Sequence, residues 1–123
     1  VIEVLDEAKP IFQQVADRIC DDILSGASPE ESQVASTNEL ALFLRINPAT
    51  AGKGINLLVD RGILYKKRGI GMFVAPGARN IVLQEREKAF TSVQLKEFVS
   101  LAQSLGLSLE TVTTLIESEY RND

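Results

Sequence analysis

Ser36-Thr37-Asn38-Glu39-Leu40-Ala41-Leu42-Phe43-Leu44-Arg45-Ile46-Asn47-Pro48-Ala49-Thr50 holds two helix starts with hardly a turn of chain between them. Ser36 and Glu39 have the spacing of a capping box, in which the hydroxyl takes a free N–H and the carboxylate reaches back to the cap. The helix so opened is short and turns Leu40, Ala41 and Leu44 inward. Asn47 then caps a second helix whose first position is Pro48, where a missing N–H is no loss. Ala51, Ile55, Leu58 and Val59 form its inward side, and Gly62 ends it. Two short helices separated only by Arg45-Ile46 predict a helix-turn-helix.

Downstream, Ile63–Tyr65 and Met72–Ala75 are strand-like, and the glycines of Lys66-Lys67-Arg68-Gly69-Ile70-Gly71 between them permit a hairpin turn. Upstream, Ile11, Val15, Ile19 and Ile23 recur every four residues, with Phe12, Ala16 and Leu24 beside them. With Pro10 suited to the first helical position and Gly26 to the end, residues 10–25 read as an amphipathic helix. Asp17, Asp21 and Asp22 fall on its polar side. Ala27–Ala35, which includes Ser28-Pro29, reads as a connection, and residues 2–5 fit a short strand or an extended arm. Three helices followed by a hairpin predict a winged helix over roughly 10–76.

Pro76-Gly77 marks a boundary, so the expected organisation is a winged helix-turn-helix domain, 1–77, and a helical region, 78–123. In the second, Phe90, Leu95, Phe98, Val99, Ala102 and Leu105 predict a long helix ended by Gly106. Ser108 caps a last helix that carries Val112, Leu115 and Ile116. Two amphipathic helices alone enclose a poor core. These nine side chains are therefore expected to form a dimerisation surface against a second copy of the chain, with folding back onto the first domain as the competing arrangement. The fold class is mainly α with a small β-hairpin.

Charge is segregated along the chain. The net −4 divides into −7 over residues 1–44, +5 over 45–68 and −2 over 69–123. A charge run is often only a solvated face. Confined to a helix-turn-helix and hairpin in an acidic chain, it points instead to double-stranded DNA. Enzymatic chemistry finds no residues. The chain has no histidine, which removes the usual proton shuttle and commonest metal ligand, and its one cysteine cannot build a zinc site in a monomer. Gly69-Ile70-Gly71 and Gly52-Lys53-Gly54 are too short for nucleotide-binding fingerprints. No catalytic residue, cofactor or metal is expected. Cys20 lies on an apolar helix pattern and reads as a small buried hydrophobe. No apolar run approaches membrane-spanning length and Val1–Val4 is not a signal peptide, so a cytoplasmic protein with no membrane partner is expected.

In a DNA complex the helix from Pro48 would lie in the major groove with its first turns nearest the bases. Ala49, Thr50 and Lys53 lie opposite Ile55 and Leu58. Thr50 suits a base edge or phosphate, and Lys53 a guanine edge or phosphate. Asn47 and the free N–H groups of the helix start offer a phosphate clamp. Lys66, Lys67 and Arg68 suit phosphates or a minor groove, but alternation puts Lys66 and Arg68 on one face and Lys67 on the other. Gly52 and Gly54 are unexpected in a helix, each costing roughly 1 kcal/mol against alanine. Close helix packing is the reading for Gly54; for Gly52, approach to DNA and plain tolerance stay open.

The chain resembles the GntR family of bacterial transcriptional regulators, in particular its short-tailed YtrA-type subfamily. The opening helix is matched by Pro10-Ile11-Phe12-Gln13-Gln14, the second by Ser36-Thr37-Asn38-Glu39-Leu40-Ala41, and the third by Ile46-Asn47-Pro48-Ala49-Thr50. Leu58, Gly62-Ile63-Leu64 and the GxGxFV wing Gly69-Ile70-Gly71-Met72-Phe73-Val74 follow. The similarity covers about residues 8–119 and is specific as a combination. It implies DNA-facing roles for Ser36, Thr50, Lys53, Arg68, Gly69 and Gly71, with Thr37 and Asn38 beside Ser36. Asn38 replaces the family's usual arginine, and Ala49 and Gly52 stand where many members have larger residues, so the operator preference is expected to be its own. The resemblance also implies a homodimer through the C-terminal helices and repression at a palindromic operator, often of membrane-transporter operons. The short tail lacks the large metabolite pocket of other members, leaving the effector ligand unknown. A sequence-specific DNA-binding regulator is the leading reading; a winged-helix protein-interaction or architectural module is the alternative.

Overall fold

Caps and apolar spacing become helices in the expected order. The computed structural model describes residues 8–122, so the arm or strand expected at 2–5 lies outside the described residues. Helix α1, Ile11–Ser25, ends on Gly26 at a left-handed φ of 89°, a conformation that glycine adopts without a Cβ clash. Pro10 sits one residue earlier than expected. Its ψ of 139° makes it the cap, and its carbonyl accepts from the Gln13 and Gln14 amides at 3.1 and 3.3 Å. Helix α2, Thr37–Leu44, and helix α3, Pro48–Asp60, follow. The bend between them runs through Arg45 at φ 57°, an unusual left-handed residue with a side chain.

The first three helices bury one shared core. Val15, Ile19 and Ile23 of α1 join Leu40 and Leu44 of α2 and Ile55 and Leu58 of α3. Gly54 shows how closely α1 and α3 cross. A Cβ at that position would stand 2.7 Å from the Phe12 carbonyl oxygen and 2.9 Å from Val15 Cβ.

Strand β1, Leu64–Lys67, pairs antiparallel with β2, Gly71–Val74, in a register running from Leu64 opposite Val74 to Lys67 opposite Gly71. The sequence-based strands are thus offset toward the turn, because Ile63 serves as a buried core residue and the backbone of Lys66 and Lys67 completes the ladder. At the tip the Ile70 amide donates to the Lys67 carbonyl at 2.9 Å. Gly69 alone of the two central residues has positive φ, at 77°, the sign pattern a type II turn requires.

Two features differ from the sequence reading. The connection before α2 also serves as an edge for the hairpin. Glu31 N–H donates to the Val74 carbonyl, Val74 N–H to Ser32, and Val34 N–H to Met72, at 2.8, 2.9 and 2.9 Å. The second concerns the boundary expected at Gly77. Helix α4, Ala78–Ala89, buries Ala78 and Val82 in the core of the first unit. Arg79 Nε donates to the Leu24 carbonyl at 3.3 Å. The compact unit consequently extends to Gln84.

From Glu85 onward lies a second unit. The long helix expected there contains a π-helical turn, Phe90–Gln94, before α5, Leu95–Ser104. Gly106 at φ 73° closes α5. Ser108 then caps α6, Leu109–Arg121, its hydroxyl accepting from the Thr111 amide at 3.1 Å.

Candidate nucleic-acid interface

The start of α2 is locked by its own cap. Ser36 Oγ accepts from the Glu39 amide at 3.1 Å, and Ser36 N–H donates to Glu39 Oε1 at 2.9 Å. Donation from the Ser36 backbone, then from its hydroxyl, holds the Glu39 carboxyl below the ordinary carboxylate range. Asn47 works similarly on α3, Oδ1 accepting from the Ala49 amide at 2.8 Å. Both caps present helix N-termini to solvent, where aligned N–H groups favour anions.

Exposed Lys66 of β1 borders a cleft shared with Ser36, Thr37 and Asn38 from α2, and with Gly71 from β2. Five expected DNA-facing residues, contributed by three elements, thus meet around one opening. Ala49 and Lys53 border a separate groove beside α3, together with Phe12. Arg68 and Gly69 stand exposed at the hairpin tip. Asn47 is exposed and Thr50 is half-buried, and neither borders the two openings.

The three basic wing residues divide as alternation requires. Lys67 Nζ lies 4.1 Å from the centroid of the Phe73 ring, on the face that also carries Tyr65. Lys66, in contrast, faces the cleft. Lys53 has an aromatic partner too, with Nζ 4.1 Å from the Phe12 centroid. At exposed positions such cation–π contacts contribute about 0.5–1 kcal/mol, enough to bias a lysine's position without fixing it.

Sequence reasoning missed two supports of the wing. Gln33 Nε2 donates to the Ile70 carbonyl at 3.1 Å, tying the tip to the preceding connection. The same nitrogen would stand 2.7 Å from a Cβ on Gly71, a clash the flexible Gln33 end could relieve by giving up that bond; the φ of 143° is what favours glycine there. The Tyr65 hydroxyl donates to the Glu31 carboxylate. That bond, reinforced by desolvation and the nearby charge, raises the Tyr65 pKa. The polar run Glu31-Ser32-Gln33 carries no strand signal, and only its turn-forming surroundings were visible in sequence.

Among the expected dimerisation residues, Ala102 is buried within its own unit. Phe90, Leu95, Phe98, Val99, Leu105, Leu115 and Ile116 are exposed in the single chain, and Val112 is half-buried. Phe98, Ala102, Leu105, Val112, Leu115 and Ile116 border one apolar groove between α5 and α6. Among the described residues no helix is long and apolar enough to cross a membrane, and no acidic, cysteine or histidine cluster is arranged to hold a metal ion.

No protein-family model matches the chain. Whole relatives do. It is 33% identical to a Bacteroides thetaiotaomicron protein of known structure assigned to the GntR family of transcriptional regulators, covering 91% of this chain and 97% of that one with a TM-score of 0.77. It is 29% identical over 101 residues to the HTH-type transcriptional repressor YtrA of Bacillus subtilis, spanning 82% of this chain and 77% of YtrA. The DNA-binding domain of AraR, solved in complex with the operator ORX1, is 32% identical; the match covers 61% of this chain and 92% of that domain with a TM-score of 0.53.

Proposed function

The chain belongs to the GntR family of transcriptional regulators, and from that premise we propose that it acts as a homodimeric repressor on a palindromic DNA operator. The observation that carries this reading is the single cleft where the start of α2 meets Lys66 and Gly71 of the wing. It joins a capped helix terminus, a cation and glycine-permitted close approach on one side of α3. In the complex α3 enters the major groove, Ser36, Asn47 and Lys66 meet phosphates, and Arg68 at the tip meets phosphate or a narrow minor groove. Thr50 and Lys53 supply further contacts from the first turns of α3.

Dimerisation is supported by the apolar residues of the second unit. Leu105 is 66% exposed, Phe90 55% and Leu115 53%, a concentration that favours a protein partner over water. Two copies would place their α3 helices in successive major grooves about 34 Å apart. Bound there, the dimer would exclude RNA polymerase. YtrA, named a repressor, supports that sign of regulation, and the AraR–operator complex supports the mode of binding. Transporter genes are the first targets to test.

Selection of duplexes from a random pool, followed by footprinting, tests the reading. The expected product is a dyad motif protected on one DNA face. Arg68→Ala should reduce the salt slope by about one, weakening all sequences alike where Arg68 meets phosphate and A-tract duplexes most where it enters a narrow minor groove. Lys53→Ala should weaken the selected duplex, with dimerisation intact in both variants. Recovery of duplexes with no shared dyad would sink the proposal.

A further inference from the structure

Asn56 stands exposed on α3, one turn beyond Gly52 and Lys53. It borders both the groove beside Lys53 and the cleft that holds Ser36 and Lys66. Side chains of an α-helix lean toward its N-terminus, so residue 56 covers the turn that contains residues 52 and 53. Gly52 leaves that turn open. It has no side chain, and Lys53 has its ammonium over the Phe12 ring, 4.1 Å from the centroid.

Interior packing does not account for Gly52. A Cβ there would come no nearer than 3.5 Å to Thr37 Cγ2, an ordinary contact. At Gly54 the corresponding atom would collide with the α1 backbone at 2.7 Å. Glycine weakens a helix at either position, yet only Gly54 has a reason inside the chain. At Gly52 no contact inside the chain demands glycine, and Ala49, one turn earlier, is small as well.

We propose that Asn56 is a specificity-determining residue that reads an adenine in the major groove through the opening left by Gly52. A carboxamide offers a donor and an acceptor side by side. They match adenine, Nδ2 donating to N7 and Oδ1 accepting from the N6 amino group. With only Ala49 and Gly52 between, the α3 backbone approaches the bases closely enough for a short side chain to reach. This inference rests on the proposed function, because it requires α3 to occupy the major groove.

The test repeats the duplex selection with the wild-type chain, Asn56→Ala and Gly52→Gln. The wild type should select a motif with one adenine per half-site favoured roughly 5- to 100-fold over other bases. Asn56→Ala should bring that preference toward one, leaving the other positions and the affinity for unrelated DNA unchanged. Gly52→Gln should weaken binding to the selected duplex more than to unrelated DNA, while thermal melting shows the fold intact or stabilised. If Asn56→Ala keeps the full preference at every position, Asn56 is not a reader although DNA binding stands. If the wild type yields no motif, the proposed function and this inference fall together.

Discussion

A methyl group at residue 54 would press into the α1 backbone, with the Phe12 carbonyl oxygen 2.7 Å away. Gly54→Ala gains up to about 1 kcal/mol of helix propensity, but overpacking of this kind typically costs about 1–3 kcal/mol. Net destabilisation is expected, read as a lower denaturant midpoint with an unchanged slope. A more stable Gly54→Ala protein would show that α1 and α3 can separate cheaply. Gly52→Ala, meeting only Thr37 at ordinary contact distance, should be neutral or stabilising in the same assay. Close helix packing was the reading for Gly54 alone, and a single added carbon separates the two glycines in the same way.

At the scale of elements, caps and stripes were the legible part. Ser36 with Glu39, Asn47 with Pro48, and the apolar spacing of α1 and α3 act through neighbours a few residues apart, so the local sequence carries them. The edge pairing of Glu31, Ser32 and Val34 with β2 was not legible, because its partners lie some forty residues away and the strand lacks apolar alternation. The role proposed for Asn56 was not legible for a different reason: a polar side chain on an outward helix face looks the same whether it meets water or a base. The boundary at Pro76-Gly77 was a correct turn but a premature domain end, since Ala78 and Val82 still contribute to the core.

The α2 cap carries a pH dependence of definite sign. Because the folded Glu39 pKa is depressed, its stabilisation is present above the unfolded glutamate pKa and is lost as pH falls through the folded value. The Ser36 amide, which donates to that carboxylate, should exchange with solvent faster relative to its unfolded rate over that acidic window. Glu39→Gln should flatten the response, since glutamine retains an acceptor that does not titrate. A pH-insensitive Ser36 amide in the wild type would show that the carboxylate contributes nothing to the cap.

For the whole molecule, the decisive quantity is how many chains associate. Leu105→Glu with Leu115→Lys places two charges where the second unit exposes apolar surface. Under the proposed dimer, this double variant should sediment as a monomer at concentrations where the wild type is dimeric. It should also keep weak, salt-sensitive binding to DNA, since neither residue belongs to the winged helix. Wild-type protein that remains monomeric over the same range would remove the dimer from the proposal. Loss of dimerisation should reduce operator affinity strongly, because one small module buries little surface on DNA.

The pairing of residues 31–34 with one side of β2 has a colloidal consequence. It leaves β1 as the outer strand of the assembled sheet among the described residues. An outer strand with unpaired N–H and C=O groups is a template on which another strand can add. Here that strand spans only Leu64–Lys67 and carries two adjacent lysines, so a second copy approaching edge to edge brings like charges together. The lysines of the wing should therefore disfavour edge-to-edge self-association when no DNA is present to neutralise them.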